Sequence, residues 1–247
     1  MGQDGGVSRA EVCVAACADT WRGAGEVLAS PIGALPMLGA RLARLTVEPD
    51  LLLTDGEAML LAAEDGVVEG WLPYGKVLDL LAGGRRRVMM GASQLDRHGN
   101  QNIARIGPAT RPTAQLIGFR GAPGNTVNHT TNYWVPRHSR RVFVERVDAV
   151  SGVGHDRAAA AGPSALRFHD VRVVVTNLAV LDFAGPGGSM RLRSVHPGVT
   201  REEVLAHTGF PLAIDEVTST RLPTDDELTL IRSVIDPRGL RDREVPA

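Results

Sequence analysis

Apolar positions recur at helical spacing over residues 8–21, where Val12, Cys13, Ala15, Ala16 and Cys17 fall on shared faces. Ser8, followed three residues later by Glu11, is a capping-box pattern for that helix. Gly23-Ala24-Gly25 closes the segment, and residues 26–29 read as a short buried strand. A loop holding Pro31, Gly33 and Pro36 leads to a second predicted helix over residues 37–45. Leu51, Leu52 and Leu53 then form a buried strand that stops at Thr54-Asp55-Gly56. Helix, strand, loop, helix, strand is the rhythm of an α/β protein with a parallel sheet.

The pattern continues with a helix over residues 76–81, a strand over 87–90 and a loop opened by Gly91-Ala92. Residues 114–119 and 141–144 are further short apolar runs. Strands over 171–175 and 178–183, parted by Thr176-Asn177, suggest a hairpin, and residues 190–195 form another strand after the turn Gly185-Pro186-Gly187-Gly188. Thr200 with Glu203 makes a second capping box, and a last helix covers residues 225–235. No repeat or linker divides the chain. Residues 1–240 are therefore expected to form a single α/β domain, an open and mainly parallel sheet flanked by helices, with 241–247 as a loosely ordered tail.

Composition narrows the function classes. The chain has 247 residues and a net charge of −1, long enough for a real core and without the positive field of a general nucleic-acid binder. Aromatic residues make up 4%, which leaves little surface for stacking bases. No apolar run reaches the roughly 18 residues of a membrane span, and MGQDGGVSRAEV lacks the basic-then-apolar order of a signal peptide. A soluble, cytoplasmic protein is expected. Of the 27 basic residues only Lys76 is lysine, a bias that a GC-rich genome produces by itself. Arg85-Arg86-Arg87 accordingly reads as a solvated turn before it reads as a phosphate site. Cys13 and Cys17 read as buried thiols rather than a disulfide or metal pair. His98, His129, His138 and His155 sit in polar stretches and read as solvated; no metal site is expected.

Three loops carry residue types suited to binding. Thr54-Asp55-Gly56-Glu57 lies at the carboxyl end of a strand, where open α/β sheets gather ligands; Asp55 either orients a substrate or caps the following helix. Residues 91–102, GASQLDRHGNQN, offer the neutral amides of Gln94, Asn100 and Asn102, although Gly99-Asn100 also fits a tight turn. Residues 121–128, GAPGNTVN, are small enough for backbone N–H groups to approach an anion or thioester oxygen around Gly121, Gly124 and Asn125. A plain strand-to-helix turn would need only the two glycines.

With these loops in order, the chain resembles the beta subunit of class I CoA-transferases of the glutaconate type. GASQLDRHGNQN is similar to that family's Gly-Ala-x-Gln-x-Asp-x-x-Gly-Asn-x-Asn stretch, and residues 121–125 to its glycine-rich loop. Residues 175–180 (VTNLAV), 196–204 (HPGVTREEV) and 208–212 (TGFPL) extend the likeness over roughly residues 8 to 240. The resemblance implies an α/β fold, a homologous alpha subunit as partner in an α2β2 assembly, and a CoA thioester bound between subunits. CoA is then part of the substrate, and no separate cofactor is expected.

One departure bears on the chemistry. Transferases of this type carry a nucleophilic glutamate in the order apolar-apolar-x-Glu-small-Gly, and it holds CoA as a glutamyl thioester. Here the order is Leu52-Leu53-Thr54-Asp55-Gly56; anchored on the glycine, the glutamate position falls on Thr54. Asp55 is one residue off and would point to the opposite face of an extended chain. The covalent relay is therefore expected to be absent. That loss on an otherwise intact scaffold resembles the branch of the family that opens the last ring in bacterial cholesterol degradation. It implies hydrolytic retro-Claisen cleavage of a cyclic CoA ester, with the general base on the alpha subunit. Thr54, Asp55, Gln94, Asn100, Gly121, Gly124 and Asn125 are then candidates for contacting substrate or an oxyanion. The alternatives are a true transferase, with Asp55 or Glu57 as nucleophile, and a non-catalytic scaffold subunit.

Overall fold

The computed structural model describes residues 6–245. Helix α1 (Arg9–Asp19) begins at Ser8, whose Oγ accepts from Glu11 N–H while the Glu11 carboxylate accepts from Ser8 N–H. There follow β1 (Leu28–Pro31), α2 (Ala34–Thr46), β2 (Leu52–Leu53), the hairpin β3 (Met59–Leu61) and β4 (Val68–Trp71), α3 (Tyr74–Gly83) and β5 (Arg86–Gly91). Two small ladders, β6 (Gln94–Leu95) with β7 (Gln101–Asn102) and β8 (Arg105–Ile106) with β9 (Ala114–Gln115), lead to α4 (Ala122–Asn128) and β10 (Thr130–Val135). After α5 (His155–Ala161) and α6 (Pro163–Leu166) come β11 (Asp170–Thr176), β12 (Ala179–Gly185), β13 (Ser189–Val195), α7 (Arg201–Ala206) and β14 (Ala213–Ser219). The chain ends with α8 (Asp225–Thr229), a π-helical segment (Leu230–Ile235) and α9 (Arg241–Glu244).

Eight strands form one sheet in the order β14-β13-β12-β11-β10-β5-β1-β2. All pairs are parallel except β11 with β12 and β12 with β13, which make the expected hairpin and its continuation. Alternate side chains divide between two cores. Met89, Trp134 and Val175 pack with α1, α2 and the C-terminal segment, whereas Val88, Met90, Tyr133 and Val174 pack with Phe143, Val204 and Phe210 on the other face. A sheet covered on both faces needs apolar residues in both phases, which is why β5 is buried along most of its length.

Several expectations need correcting. The strand predicted over 51–53 is an edge strand, and Leu52 is exposed. The central β10 and the outer β14 were not anticipated. Only the Thr200 half of the second capping box forms, with Oγ accepting from Glu203 N–H at 3.1 Å. Cys13 and Cys17 are free and buried, as expected, but His129 and His138 are buried rather than solvated. His138 stacks on Phe143 with ring centroids 4.0 Å apart.

The tail is not loose through residue 245. Val245 is buried, and Arg241 bonds Asp236 at 3.0 Å. The Glu244 carboxylate accepts from Trp134 Nε1 at 2.9 Å and from Leu35 N–H at 3.0 Å. Glu11, buried in the first turn of α1, ties the same region down through Arg232 at 2.7 Å and Arg241 at 3.2 Å. Burial pushes the Glu11 carboxyl up, but the hydrogen bond and charge of Arg232, together with Ser8 N–H and Arg241, bring it below its ordinary value. Residues 246–247, and residues 1–5 of the stretch read against a signal peptide, lie outside the described residues.

Candidate active site

A cavity of about 430 Å³ lies against β5 beneath α3 and α4, and reaches the carboxyl ends of β1, β5 and β10 at Ile32, Ala92 and Pro136. That position is where an α/β sheet leaves room for a ligand, and the volume suits a small organic group. Val77, Leu81, Met90 and Trp134 supply apolar wall; Arg86, Asn125, Glu57, Arg120 and Glu244 supply the charged and polar groups.

The candidate residues part company here. Gly121 and Asn125 border the cavity; Thr54, Asp55, Gln94, Asn100 and Gly124 do not. Gly124 packs on α3, where a Cβ would lie 3.1 Å from Leu81 Cβ. Gln94 is occupied by Asn102, Asp148 and the Asp148 N–H. Asn100 clamps its own loop, donating to Asp96 and to Asp156 and accepting from Gly154 N–H. Both amides are pinned by structural bonds, the turn chemistry that Gly99-Asn100 also allowed.

Thr54 is fully buried, and its Oγ donates to Ala29 C=O at 2.9 Å while accepting from Gly56 N–H at 3.1 Å. A hydroxyl held this way has no base and no route to a substrate. Asp55 caps no helix. Its exposed carboxylate accepts from the N–H groups of Glu57, Ala58 and Met59, closing a turn. Gly56, at φ +94°, forms the cavity wall between them, and a Cβ there would meet Pro31 O at 2.8 Å. Glu57 reaches the cavity but is ion-paired with Arg120, the one non-glycine residue at positive φ among the described residues.

The donors expected around residues 121–125 are partly committed as well. Ala122 N–H bonds Phe119 O, Asn125 N–H bonds Gly121 O, and Pro123 has none. The strongest donor on that wall is a side chain, Arg86. Far from lying in a solvated turn, Arg86 and Arg87 open β5 and are buried, while Arg85 is exposed. Arg87 is absorbed by the carbonyls of Thr20, Trp21 and Arg22. Arg86 donates from Nε to Ser30 Oγ at 2.8 Å and from Nη1 to Asn125 Oδ1 at 2.9 Å. Ser30 Oγ lies 3.5 Å from Thr54 Oγ. Thr54 and Asn125, both candidates from sequence, are thus the two ends of one polar chain through Ser30 and Arg86, of which Arg86 was discounted and Ser30 not considered. The signal available in the sequence was two arginines opening an otherwise apolar strand.

Burial alone lowers the Arg86 pKa to about 10, so the group stays charged at neutral pH. Burial, then the nearby Arg86 charge, lowers His129 below its ordinary value. Among the described residues, no group of three His, Cys, Asp or Glu side chains is gathered for a metal ion.

The chain matches the coenzyme A transferase family model over residues 76–207. It is 56% identical to the cholesterol ring-cleaving hydrolase IpdB subunit of Rhodococcus jostii, covering 97% of this chain and 96% of that one. It is 30% identical to a 3-oxoadipate CoA-transferase subunit of Pseudomonas knackmussii, covering 81% and 83%. The crystal structure of Rhodococcus jostii IpdAB superposes with a TM-score of 0.92 at 54% identity, covering 98% of this chain and all of that one. A mainly parallel sheet with this strand order, the motif at residues 91–102 and these likenesses agree. The chain belongs to the coenzyme A transferase family.

Proposed function

We infer that this chain is the beta-type subunit of a heteromeric CoA-ester hydrolase, which opens a steroid-derived ring by hydrolytic C–C cleavage during cholesterol catabolism. The observation that carries the reading is the near-full-length 56% identity to a ring-cleaving hydrolase subunit. The site is consistent with it: Thr54, the position that the glycine-anchored resemblance gives to the transferase nucleophile, is buried and hydrogen-bonded.

In the reaction, water adds to the ring carbonyl and the bond between that carbon and the α-carbon of the thioester breaks. The carbonyl carbon becomes a carboxylate on the same, opened chain, and the electron pair passes to the thioester as an enolate, which is then protonated at carbon. The chemistry needs a general base and enolate stabilisation, but no acyl-enzyme. The base is assigned to the alpha subunit. This chain supplies the apolar wall of Val77, Leu81 and Met90, with Gly121 bordering the acyl group and Asn125 orienting Arg86. A partner subunit also accounts for Tyr74, Leu78 and Ile117, large apolar side chains that line the cavity and are left exposed. A CoA-thioester substrate fits a cytoplasmic enzyme.

The test is reconstitution. The chain co-purified with its homologous partner should cleave cyclic 3-oxo CoA esters and leave linear ones intact, and the chain alone should be inactive. Turnover by the isolated chain would overturn the division of labour, and CoA transfer between acids would favour the transferase reading.

A further inference from the structure

Among the described residues three arginines are buried, and two are accounted for by the chain's own backbone. Arg41 donates to the carbonyls of Ala63, Glu64 and Ile235, and Arg87 to the three carbonyls that follow α1. Arg86 has only two neutral oxygens, from Ser30 and Asn125, and its Nη2 has no acceptor among the described residues. No carboxylate among them lies within ion-pair distance of it. A largely buried guanidinium with no counter-charge is costly, and an anion reaching its free Nη2 from the cavity would recover that cost. It also borders the cavity. Its planar fork is held edge-on by two bonds, which is the preorganisation that recognition of an anionic oxygen requires.

We propose that Arg86 is the anion receptor of the cavity, binding an anionic oxygen of the acyl part of the CoA thioester, with Ser30 and Asn125 as its positioning residues. The inference rests on the thioester-hydrolase reading above. Two sources supply such an oxygen: a free carboxylate carried by the acyl group, or the enolate oxygen formed as the ring C–C bond breaks. They differ in when the charge is present, and so in which kinetic constant responds.

The experiment uses the reconstituted complex with wild-type chain, R86Q and R86K, each checked for unchanged assembly and melting temperature. Calorimetric titration compares glutaryl-CoA with pentanoyl-CoA, which differ by the terminal carboxylate and do not react. Steady-state rates are taken on a cyclic 3-oxo CoA ester. If the anion is a carboxylate, wild type binds glutaryl-CoA at least tenfold more tightly than pentanoyl-CoA, R86Q abolishes the preference, and R86K keeps part of it. If it is the enolate, R86Q lowers kcat at least a hundredfold with KM within twofold, and R86K recovers part of the loss. Binding and rates of R86Q all within twofold of wild type would overturn the proposal. So would an R86Q complex that dissociates while its assembled fraction keeps normal constants, which would place the counter-charge on the partner subunit. Failure of wild type itself to cleave the ester would instead count against the hydrolase reading, since the titration reads the anion site without turnover.

Discussion

Glu244 provides the sharpest check on how the C-terminal segment serves the site. Its carboxylate takes two hydrogen bonds, from the buried indole N–H of Trp134 at 2.9 Å and from Leu35 N–H in the first turn of α2 at 3.0 Å. E244A leaves both donors orphaned, because Leu35 and Trp134 are almost wholly buried. An orphaned buried donor costs about 1–3 kcal/mol. Glu244 is itself half-exposed, which favours the lower part of that range, so the pair amounts to about 2–4 kcal/mol of local stability. Hydrogen exchange reads this directly: the Leu35 amide should exchange about 30-fold faster or more, at roughly tenfold per 1.4 kcal/mol. E244Q keeps one acceptor oxygen and should lose about half as much. Because Glu244 also borders the cavity, ring cleavage by the E244A complex should fall. Unchanged Leu35 exchange and unchanged activity in E244A would refute the reasoning and return residues 241–245 to a dispensable tail.

Acid should destabilise the fold through two buried histidines. Burial lowers His196 to about 4 and His138 to about 3, whereas in the unfolded chain both titrate near 6.5. The unfolded state therefore binds more protons as pH falls below 6.5, and stability should drop by up to about 1.4 kcal/mol per pH unit per histidine down to about pH 4. Urea titrations across that window should show a flatter slope for H138Q/H196Q, and an unchanged slope would contradict the assignment. Hydroxylamine or borohydride, added during turnover by the complex, should trap no thioester on this chain; a modified Glu57 would restore the transferase alternative. N125A should act in the same direction as R86Q but more weakly, because Ser30 still holds Arg86 Nε; a full wild-type rate in N125A would dismiss Asn125 as a positioning residue.

The fold was legible wherever one residue determines one local feature. Ser8 and Glu11 set the start of α1, and Thr176-Asn177 turned β11 into β12, because capping and turn chemistry act over three or four residues. β10 was not legible. Its Thr-Thr-Asn opening reads as loop, and only burial between β5 and β11 makes it a strand. The tail reads as charged and loose because Glu11, one of the two partners of Arg241, and both donors to Glu244 lie far away in the chain, on α1, α2 and β10. The site divided in the same way. Asn125 was found from its small-residue loop, and Thr54 from the position of a missing glutamate. Gln94 and Asn100 looked available because a sequence does not show that Asp148, Asp156 and Gly154 already occupy them. Arg86 was set aside for the opposite reason: compositional bias makes any single arginine uninformative until its burial and its lack of a counter-charge are known.

The central claim is that water, not an enzyme carboxylate, attacks the substrate. A single turnover, with the reconstituted complex in excess over a cyclic 3-oxo CoA ester in ¹⁸O-labelled water, tests it most directly, with the product analysed by mass spectrometry. One labelled oxygen is expected in the new carboxylate, with CoA still attached to the opened chain. An unlabelled product, or CoA appearing on an added acceptor acid, would contradict it.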